Sequence, residues 1–210
     1  PVNMYIICHD PYAQSQSADS SSLGSAYVIK RVNNISSPDD MIVASYVARP
    51  HSQDEFNKNL FMLADYYNAR IGFENDRGEV IAYARRHRKL HRLQEEFEML
   101  DKKDLRSKKV KRQYGMHMTE ARKRQGEIYI RDWLNTTRST NEDGTQVLNM
   151  HKIYDLALLQ ELIKFNHKGN FDRAMSLMVG MYHTREMYNS EVKEILEDNA
   201  SAEWFDNNRY

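Results

Sequence analysis

The amino-acid sequence predicts an α/β protein whose mixed central sheet has three antiparallel strands followed by parallel strands, with helices on both faces. Three observations lead to this prediction. Three short apolar runs near the N-terminus are joined by short polar segments, a pattern typical of antiparallel neighbours. A helical pattern and a fourth apolar run follow, and a strand that returns after a helix lies parallel to its neighbour. Amphipathic helical patterns fill much of the remaining chain.

The first half of the chain contains the patterns of four strands and two helices. We predict the strands where apolar and β-branched residues cluster, at residues 4–8, 25–32, 41–47 and 69–73. Ser52 and Glu55 have the spacing of a capping box, and apolar residues follow them at helical intervals. A second helix, strongly charged, is predicted over residues 78–100.

The second half of the chain is richer in helical patterns. Over residues 119–136 the sequence is ambiguous, because residues 127–130 have strand propensity whereas the flanking charges favour a helix. The other predictions, in chain order, are a basic loop at residues 101–112, a short fifth strand at 114–118, a polar loop at 139–144, a helix from residue 150 that Gly169 closes, and a last helix at 171–196.

Length and charge predict one domain, over residues 1–190, with an acidic tail at residues 191–210. The 210 residues carry 30 basic and 30 acidic side chains, so the formal net charge is zero. The charge is unevenly distributed: residues 85–124 contain fifteen Lys or Arg against six Asp or Glu, whereas residues 187–210 contain six acids against two bases. Such patterning is typical of a protein with a polyanionic partner.

Other features of the composition exclude several classes of protein. Cys8 is the only cysteine, which excludes an intrachain disulfide and a cysteine-based zinc site and favours a reducing compartment. No apolar stretch approaches the length of a membrane span, and no signal peptide is recognisable. Because the chain begins within its first predicted strand, we expect it to be a domain of a longer parent protein.

Three acidic residues stand where predicted elements end or begin. Asp10 ends the first strand, Glu74 follows the fourth strand, and Asp172 opens the last helix. The first and fourth strands should be adjacent and parallel, so their carboxyl ends would lie side by side, and a helix packed across that edge could bring the third acid there. Converging carboxylates repel one another unless cations hold them together. Hard oxygen ligands of this kind suit Mg²⁺ or Mn²⁺.

Each of these acids also has an ordinary structural interpretation. Asp10 precedes a proline and could start a turn, Asp172 could cap its helix, and Glu74 could be a polar strand exit. Taken singly, each structural interpretation is the more common one. Taken together and in this order of elements, the three favour a metal site. Two ions held there would suit the hydrolysis of a phosphodiester.

The order of these motifs resembles the nuclease domain of bacteriophage terminase large subunits. The resemblance begins with an apolar strand that ends in Asp-Pro, followed by a polar loop and two hairpin strands, and it covers residues 4–188. The segments that carry it are GFENDRG at residues 72–78, YGM at 114–116, DLALLQEL at 155–162 and GNFDRA at 169–174. No single segment is specific, and the resemblance depends on their order and spacing.

The resemblance implies a ribonuclease H-like fold and a metal-dependent endonuclease. Asp10, Glu74 and Asp172 would be its catalytic metal ligands, with two Mg²⁺ or Mn²⁺ ions hydrolysing concatemeric double-stranded viral DNA with little sequence preference and leaving a 5′-phosphate and a 3′-hydroxyl. One departure concerns the third motif, which often has a second acid before an alanine, near the place of Arg173 here. A fourth ligand is therefore not predicted.

The resemblance also implies partners and a location. The chain has no phosphate-binding loop of the Gly-x-x-x-x-Gly-Lys-Ser/Thr type, so the ATPase domain of the packaging motor would belong to the parent chain. The portal protein and the small terminase subunit would be further partners, in the cytoplasm of the host cell during virus assembly. No membrane partner is implied.

Two groups of basic residues are candidates for contacts with DNA phosphates. The first is the predicted basic loop, with Lys102, Lys103, Arg106, Lys108, Lys109, Lys111 and Arg112. The second is the basic run at residues 85–89, whose structural alternative is a solvated helix face with internal ion pairs. Two rival functions stay open: another ribonuclease H-like nuclease such as a junction resolvase, and a docking module of the packaging motor that has lost catalysis.

Overall fold

A computed structural model describes residues 4–12, 22–31, 40–76, 78–96, 114–166 and 169–185, which form a mixed α/β structure. Its main sheet has four strands in the order β3-β2-β1-β4. The strands are β1 (Tyr5–Asp10), β2 (Gly24–Lys30), β3 (Met41–Ala48) and β4 (Arg70–Phe73). Pairing is antiparallel between β1 and β2 and between β2 and β3, and parallel between β1 and β4. The prediction of three antiparallel strands followed by a parallel one is confirmed.

The first face of the sheet is covered by helices α1 (Gln53–Tyr66) and α2 (Glu79–Arg86). Ser52, the first residue of the predicted capping box, is the N-cap of α1, because its hydroxyl accepts a hydrogen bond from the Glu55 N–H at 3.2 Å. Alternation of side chains along each strand sends every second residue to this face. The residues buried here include Ile7, Ala26, Val28, Ile71 and Phe73 from the strands and Phe56, Leu60, Phe61, Val80 and Tyr83 from the helices.

The second face is covered by α3 (Glu120–Leu134), α4 (Leu156–Lys164) and α5, whose described part is residues 172–185. The helix favoured by the flanking charges at 119–136 is confirmed, and the strand alternative at 127–130 is wrong. Helix α5 lies close to β1, since a Cβ atom on Gly180 would be 2.7 Å from the Cys8 sulfur. Within the described residues, no helix has both the length and the apolar character to cross a membrane.

The helix predicted over residues 78–100 is confirmed at Glu79–Arg86 and wrong over residues 87–96, the rest of its described part. Helix α2 ends at Arg86, and Arg88 has a left-handed backbone with φ of 57°. A 3₁₀ turn follows at Leu90–Arg92. Leu93 is then fully buried and pairs with Ile71 as an isolated parallel bridge. The turn after α2 thus places the Leu93 side chain in the apolar core beside β4, where its burial favours folding.

The predicted fifth strand is present only as isolated bridges beside β4. The Met116 N–H donates to the Phe73 carbonyl at 2.9 Å, and the Asn75 N–H donates to the Met116 carbonyl at 2.7 Å. Tyr114 makes a bridge to Glu95 instead. The sheet therefore continues past β4 through single residue pairs.

Two predictions in the second half need refinement. The predicted polar loop at 139–144 is mostly the turn of a hairpin formed by β5 (Thr137–Thr140) and β6 (Gln146–Leu148), with Gly144 at φ of 84°, and only its first two residues belong to a strand. The helix predicted from residue 150 begins later, because Asp155 caps α4 by accepting from the N–H groups of residues 157 and 158. A 3₁₀ turn occupies Asn149–Lys152, and α4 ends at Lys164, before Gly169.

Candidate active site

Asp10 and Glu74 lie side by side because β1 and β4 run parallel and end together. The last paired residues of these strands are His9 and Phe73, and the Glu74 N–H donates to the His9 carbonyl at 3.2 Å. Side chains alternate, so the two acids follow Cys8 onto the second face of the sheet. The adjacency predicted from the order of elements is confirmed.

His9 points to the opposite face and belongs to the core, as its place beside Asp10 predicts. Its ring stacks on Phe56 with 5.1 Å between ring centroids, and its Nδ1 is 2.8 Å from the Ser25 carbonyl. Burial lowers the pKa of His9 to about 4. The ring is therefore neutral at physiological pH and stands apart from the acids.

Asp172 reaches the same edge from the first turn of α5. Its carboxylate accepts hydrogen bonds from the Leu23 N–H at 2.7 Å, from the Ser22 hydroxyl at 3.3 Å and from the Asn170 amide at 3.2 Å. The first N–H groups of α5 are satisfied by another residue: Glu161 of α4 accepts from the N–H of residues 173 and 174 at 2.9 and 3.2 Å. The helix start is thus capped from outside, and Asp172 faces the cleft.

The three acids predicted to converge line one cleft of about 250 Å³. Asp10 and Glu74 come from the sheet, and Asp172 comes from the helix that crosses it. The other described residues of the lining are Pro11, Ser22, Asp76, Lys123, Phe165, Asn166, Gly169, Asn170, Phe171 and Met175. The cleft therefore combines an acidic floor with a wall from the segment that joins α4 to α5.

Burial and mutual repulsion raise the pKa values of these acids. The pKa of Asp10 lies well above its ordinary value because the group is buried, and because Glu74 and Asp172 repel its charge. Burial also raises the pKa of Glu74 to about 7, with Asp76 adding to the shift. Burial raises the pKa of Asp172, while the hydrogen bonds from residues 22, 23 and 170 oppose that shift. Lys123 favours the ionised forms of Asp10 and Glu74.

The donors in the cleft fit a divalent cation by their chemistry. All the acids offer hard oxygen ligands, and a cation would relieve the repulsion that now raises their pKa. Their arrangement is not a finished coordination shell: Glu74 is hydrogen-bonded to Asp10 and Asp76, and Asp172 is held by its own donors. Within the described ranges, no three His, Cys, Asp or Glu side chains are grouped so that they could hold one metal ion.

Sequence reasoning missed two residues of the cleft. Asp76 was not among the predicted ligands; it is an exposed residue that lines the cleft, is hydrogen-bonded to Glu74 and contacts His117. The spacing of two residues after Glu74 was the available signal. Lys123 lies in the first turns of α3, and its place beside the acids depends on the packing of that helix, for which the sequence holds no local signal.

The residue that departs from the third motif, Arg173, turns away from the acids. Its guanidinium contacts Glu161 of α4 at 3.1 Å, and its Nε lies 3.8 Å from Asp155. The arginine therefore stabilises the junction of α4 and α5. The structure offers no acid at this position.

The basic groups have different outcomes. The predicted DNA contacts at Lys102, Lys103, Arg106, Lys108, Lys109, Lys111 and Arg112 lie outside the described residues. In the run at residues 85–89, Arg86 contacts Asp54 of α1 at 2.6 Å and Lys89 contacts Asp65 at 2.5 Å. Both cations form ion pairs with α1, and not with acids of their own segment as the structural alternative proposed.

Chemically, the cleft offers a carboxyl group that can exchange a proton near neutral pH and oxygen atoms of the kind that bind hard cations. A carboxyl whose pKa is near 7, as at Glu74, can act as an acid or a base at physiological pH. Ionised, the same groups are ligands for a hard metal ion. Among known proteins, no family model, curated protein or solved structure matches the chain. The function is therefore argued from this geometry.

Proposed function

We propose that the chain is a divalent-metal-dependent endonuclease domain of the ribonuclease H-like kind found in terminase large subunits. The observation that carries the proposal is the convergence of Asp10, Glu74 and Asp172, from two strands and a helix, on one cleft. The sheet order β3-β2-β1-β4, with β1 and β4 parallel and helices on both faces, also agrees with that kind of fold. The reaction is hydrolysis of a phosphodiester in double-stranded DNA.

In the proposed site, the three acids are the metal ligands. Asp10, Glu74 and Asp172 would hold Mg²⁺ or Mn²⁺, most simply two ions. When bound, such ions supply an activated water and neutralise charge on the leaving oxygen. The chain itself positions the ligands: the Leu23 N–H and the Ser22 hydroxyl orient Asp172. The backbone pairing of β1 with β4 sets the other two acids side by side.

Lys123 gives the cleft a group that attracts the substrate. Its positive charge lowers the pKa of Asp10 and of Glu74 and so favours their ionised forms. An ammonium at this place can contact a phosphate oxygen of the scissile strand. It would hold the phosphodiester near the acids before hydrolysis.

The wider setting of the proposal is viral genome packaging. The domain would cut concatemeric double-stranded DNA with little sequence preference and leave a 5′-phosphate and a 3′-hydroxyl. An ATPase domain in the parent chain, the portal protein and the small terminase subunit would be its partners in the host cytoplasm. The excess of basic residues over 85–124 supports a polyanionic substrate.

The test is plasmid cleavage by the purified chain with Mg²⁺ or Mn²⁺. We expect nicked and linear products that disappear with EDTA, and a loss of about a hundredfold or more in Asp10→Asn and Glu74→Gln. The matched controls are Asp54→Asn in α1 and Glu142→Gln in the hairpin turn, which change the same chemical groups at exposed positions. Cleavage that survives in both site variants would reject the proposed active site.

Two rival functions make different predictions in the same assay. A docking module without catalysis is favoured by Arg173, which replaces the expected acid and contacts α4; it would bind DNA or the portal protein with no cleavage in any metal. A junction resolvase would cut a four-way junction in preference to a linear duplex of the same sequence. Comparing the two substrates separates it from the packaging nuclease.

A further inference from the structure

One wall of the cleft is aromatic, whereas its floor is acidic. The wall contains Phe165, Phe171 and Met175, and the two rings lie 5.3 Å apart between centroids at an interplanar angle of 52°. Both rings are partly exposed. The floor carries Asp10 and Glu74. A ligand in this cleft would therefore meet two inclined aromatic rings on one side and carboxylate oxygens on the other.

The aromatic wall is fastened to the acids by the short segment that begins α5. The Asn166 side chain accepts from the Gly169 N–H at 3.0 Å, which closes a turn. Phe171 packs directly on Gly169, where an added Cβ would be 2.2 Å from the ring. Asn170 then donates to Asp172 at 3.2 Å. The wall and the third acid are thus held in one small unit.

A nucleotide, like this cleft, has an aromatic part and a charged part. Its base is planar and aromatic, and its phosphate is anionic and binds both cations and an ammonium such as Lys123. A volume of about 250 Å³ lies below the range of pockets that enclose drug-sized ligands. A cleft of this size cannot hold a stack of base pairs, so a base that enters it has to do so singly.

We propose that Phe165 and Phe171 form a nucleobase subsite, on which a base leaves its stack and lies while the adjoining phosphodiester faces the acids. The inference rests on the proposed nuclease function and adds a substrate preference to it. Every base has an aromatic face, so the subsite selects for unstacked bases without selecting sequence. Single-stranded, mismatched or frayed DNA binds better there, because less stacking has to be broken.

The experiment compares two single strands that differ only in their bases. One is a short thymidine oligonucleotide, and the other is an abasic sugar-phosphate backbone of the same length and charge. Binding to the full chain is measured by fluorescence anisotropy in Ca²⁺, which slows hydrolysis. Phe171→Leu removes the flat face while keeping apolar bulk, Phe171→Trp restores a flat face, and Tyr66→Leu alters an aromatic on α1 that is 82% exposed.

We expect the wild type to prefer the thymidine strand by about tenfold, as one aromatic–base stack supplies. Phe171→Leu should lose this preference and leave binding of the abasic strand unchanged, while Phe171→Trp and Tyr66→Leu retain it. Equal binding of both strands by the wild type, or equal weakening of both by Phe171→Leu, overturns the subsite.

Plasmid cleavage in the same preparations separates this proposal from the proposed function. Cleavage without any base preference rejects the subsite and leaves the nuclease intact. A base preference that depends on Phe171, in a protein that cleaves nothing with Mg²⁺ or Mn²⁺, supports the subsite and rejects the nuclease. Thermal unfolding of each variant identifies any that fails to fold, and Phe165→Leu then provides a second test of the same wall.

Discussion

The two faces of the central sheet differ in the kinds of contact that cover them. On the first face, α1 and α2 cover the strands with an apolar cluster that includes Phe56, Leu60 and Phe61. On the second face, polar contacts lie among the apolar ones: the Tyr27 hydroxyl donates to Asp155 of the α4 cap at 2.6 Å, and the Ser176 hydroxyl of α5 donates to the Cys8 carbonyl at 2.8 Å. The first face shows how the sheet is stabilised, and the second shows how α5 is positioned over the acids.

The difference has an energetic consequence at the carboxyl end of β1. Apolar burial on the first face favours folding at about 25 cal/mol per Å². On the second face, the buried Asp10 is repelled by Glu74 and Asp172, which costs folding free energy whenever these groups ionise. Natural proteins tolerate such a cost where function requires it. Stability and the proposed chemistry should therefore respond to different substitutions.

The largest expected effect comes from Phe56→Ala on the first face. Phe56 is 2% exposed and contacts the rings of His9, Tyr12 and Tyr46. We expect a loss of about 3–5 kcal/mol in the free energy of unfolding, measured by urea denaturation, with DNA cleavage per folded molecule unchanged. A proportional loss of cleavage by fully folded protein would show that the two faces are not separable.

The second expected effect is at Glu161, where one substitution should change both stability and DNA cleavage. This carboxylate caps α5 through two backbone N–H groups and pairs with Arg173. Glu161→Ala should cost about 2 kcal/mol of stability, as the loss of a helix cap does. It should also lower cleavage, because the position of Asp172 depends on where α5 begins.

Glu161→Gln is the matched control, since it keeps an oxygen that can accept the N–H groups and removes the charge. We expect it to retain more stability and more cleavage than Glu161→Ala. Equal losses in both variants would mean that the ion pair with Arg173, and not the cap, holds the junction.

The third effect concerns the pH dependence of the free energy of unfolding, which has opposite signs for Glu74 on the second face and His9 on the first. The pKa of Glu74 is raised from 4.5 to about 7, so the folded state binds the proton more tightly than the unfolded state. Stability from this group is lost as pH rises from about 4.5 to 7. The pKa of His9 is lowered to about 4, so its contribution is lost as pH falls from about 6.5 to 4.

Glu74→Gln provides the test, with EDTA present to exclude metal ions. We expect the variant to show a smaller decline in stability between pH 4.5 and 7 than the wild type, because the contribution of Glu74 is removed while that of Asp10 remains. The decline toward acid should be unchanged. Urea denaturation across this pH range measures both slopes. Parallel curves for the wild type and the variant would contradict a raised pKa at this carboxyl.

The sequence specified local structure well and long-range packing less well. The capping box at Ser52 and the apolar strands could be predicted because their signals lie within a few residues. The early end of α2 could not, since it depends on the burial of Leu93 beside β4, far along the chain. The hairpin at residues 137–148 was also missed, because its strands are short and polar.

In the candidate site too, local features could be predicted from the sequence, whereas those that depend on tertiary packing could not. Asp10 and Glu74 could be brought together from the sequence, since the order of elements fixes which strands are adjacent and where they end. Lys123 could not be assigned to the cleft, because only the tertiary placement of α3 brings it there. Asp172 was a candidate from its place at the start of the last helix, and its hydrogen bonds to residues 22 and 23 show what holds it at that edge.

The smallest expected effect is the most specific for the acidic cleft. Lys123 favours the ionised forms of Asp10 and Glu74, so it acts as a counter-ion that a metal ion must compete with. Lys123→Met keeps the length of the side chain and removes the charge. In EDTA it should lower stability by about 0.5–1 kcal/mol, the value of a partly exposed charge interaction. With Mn²⁺ added, the variant should gain more thermal stability than the wild type, because the cation then relieves a larger repulsion.

Lys58→Met on α1 changes the same charge at an exposed position on the opposite face. It should alter neither the stability in EDTA nor the response to Mn²⁺, because exposed substitutions away from special contacts have small effects. The comparison of the two variants separates a local effect from a change of net charge. If Mn²⁺ stabilises both variants and the wild type equally, the ion binds away from Lys123, and the acids on the second face are not its ligands.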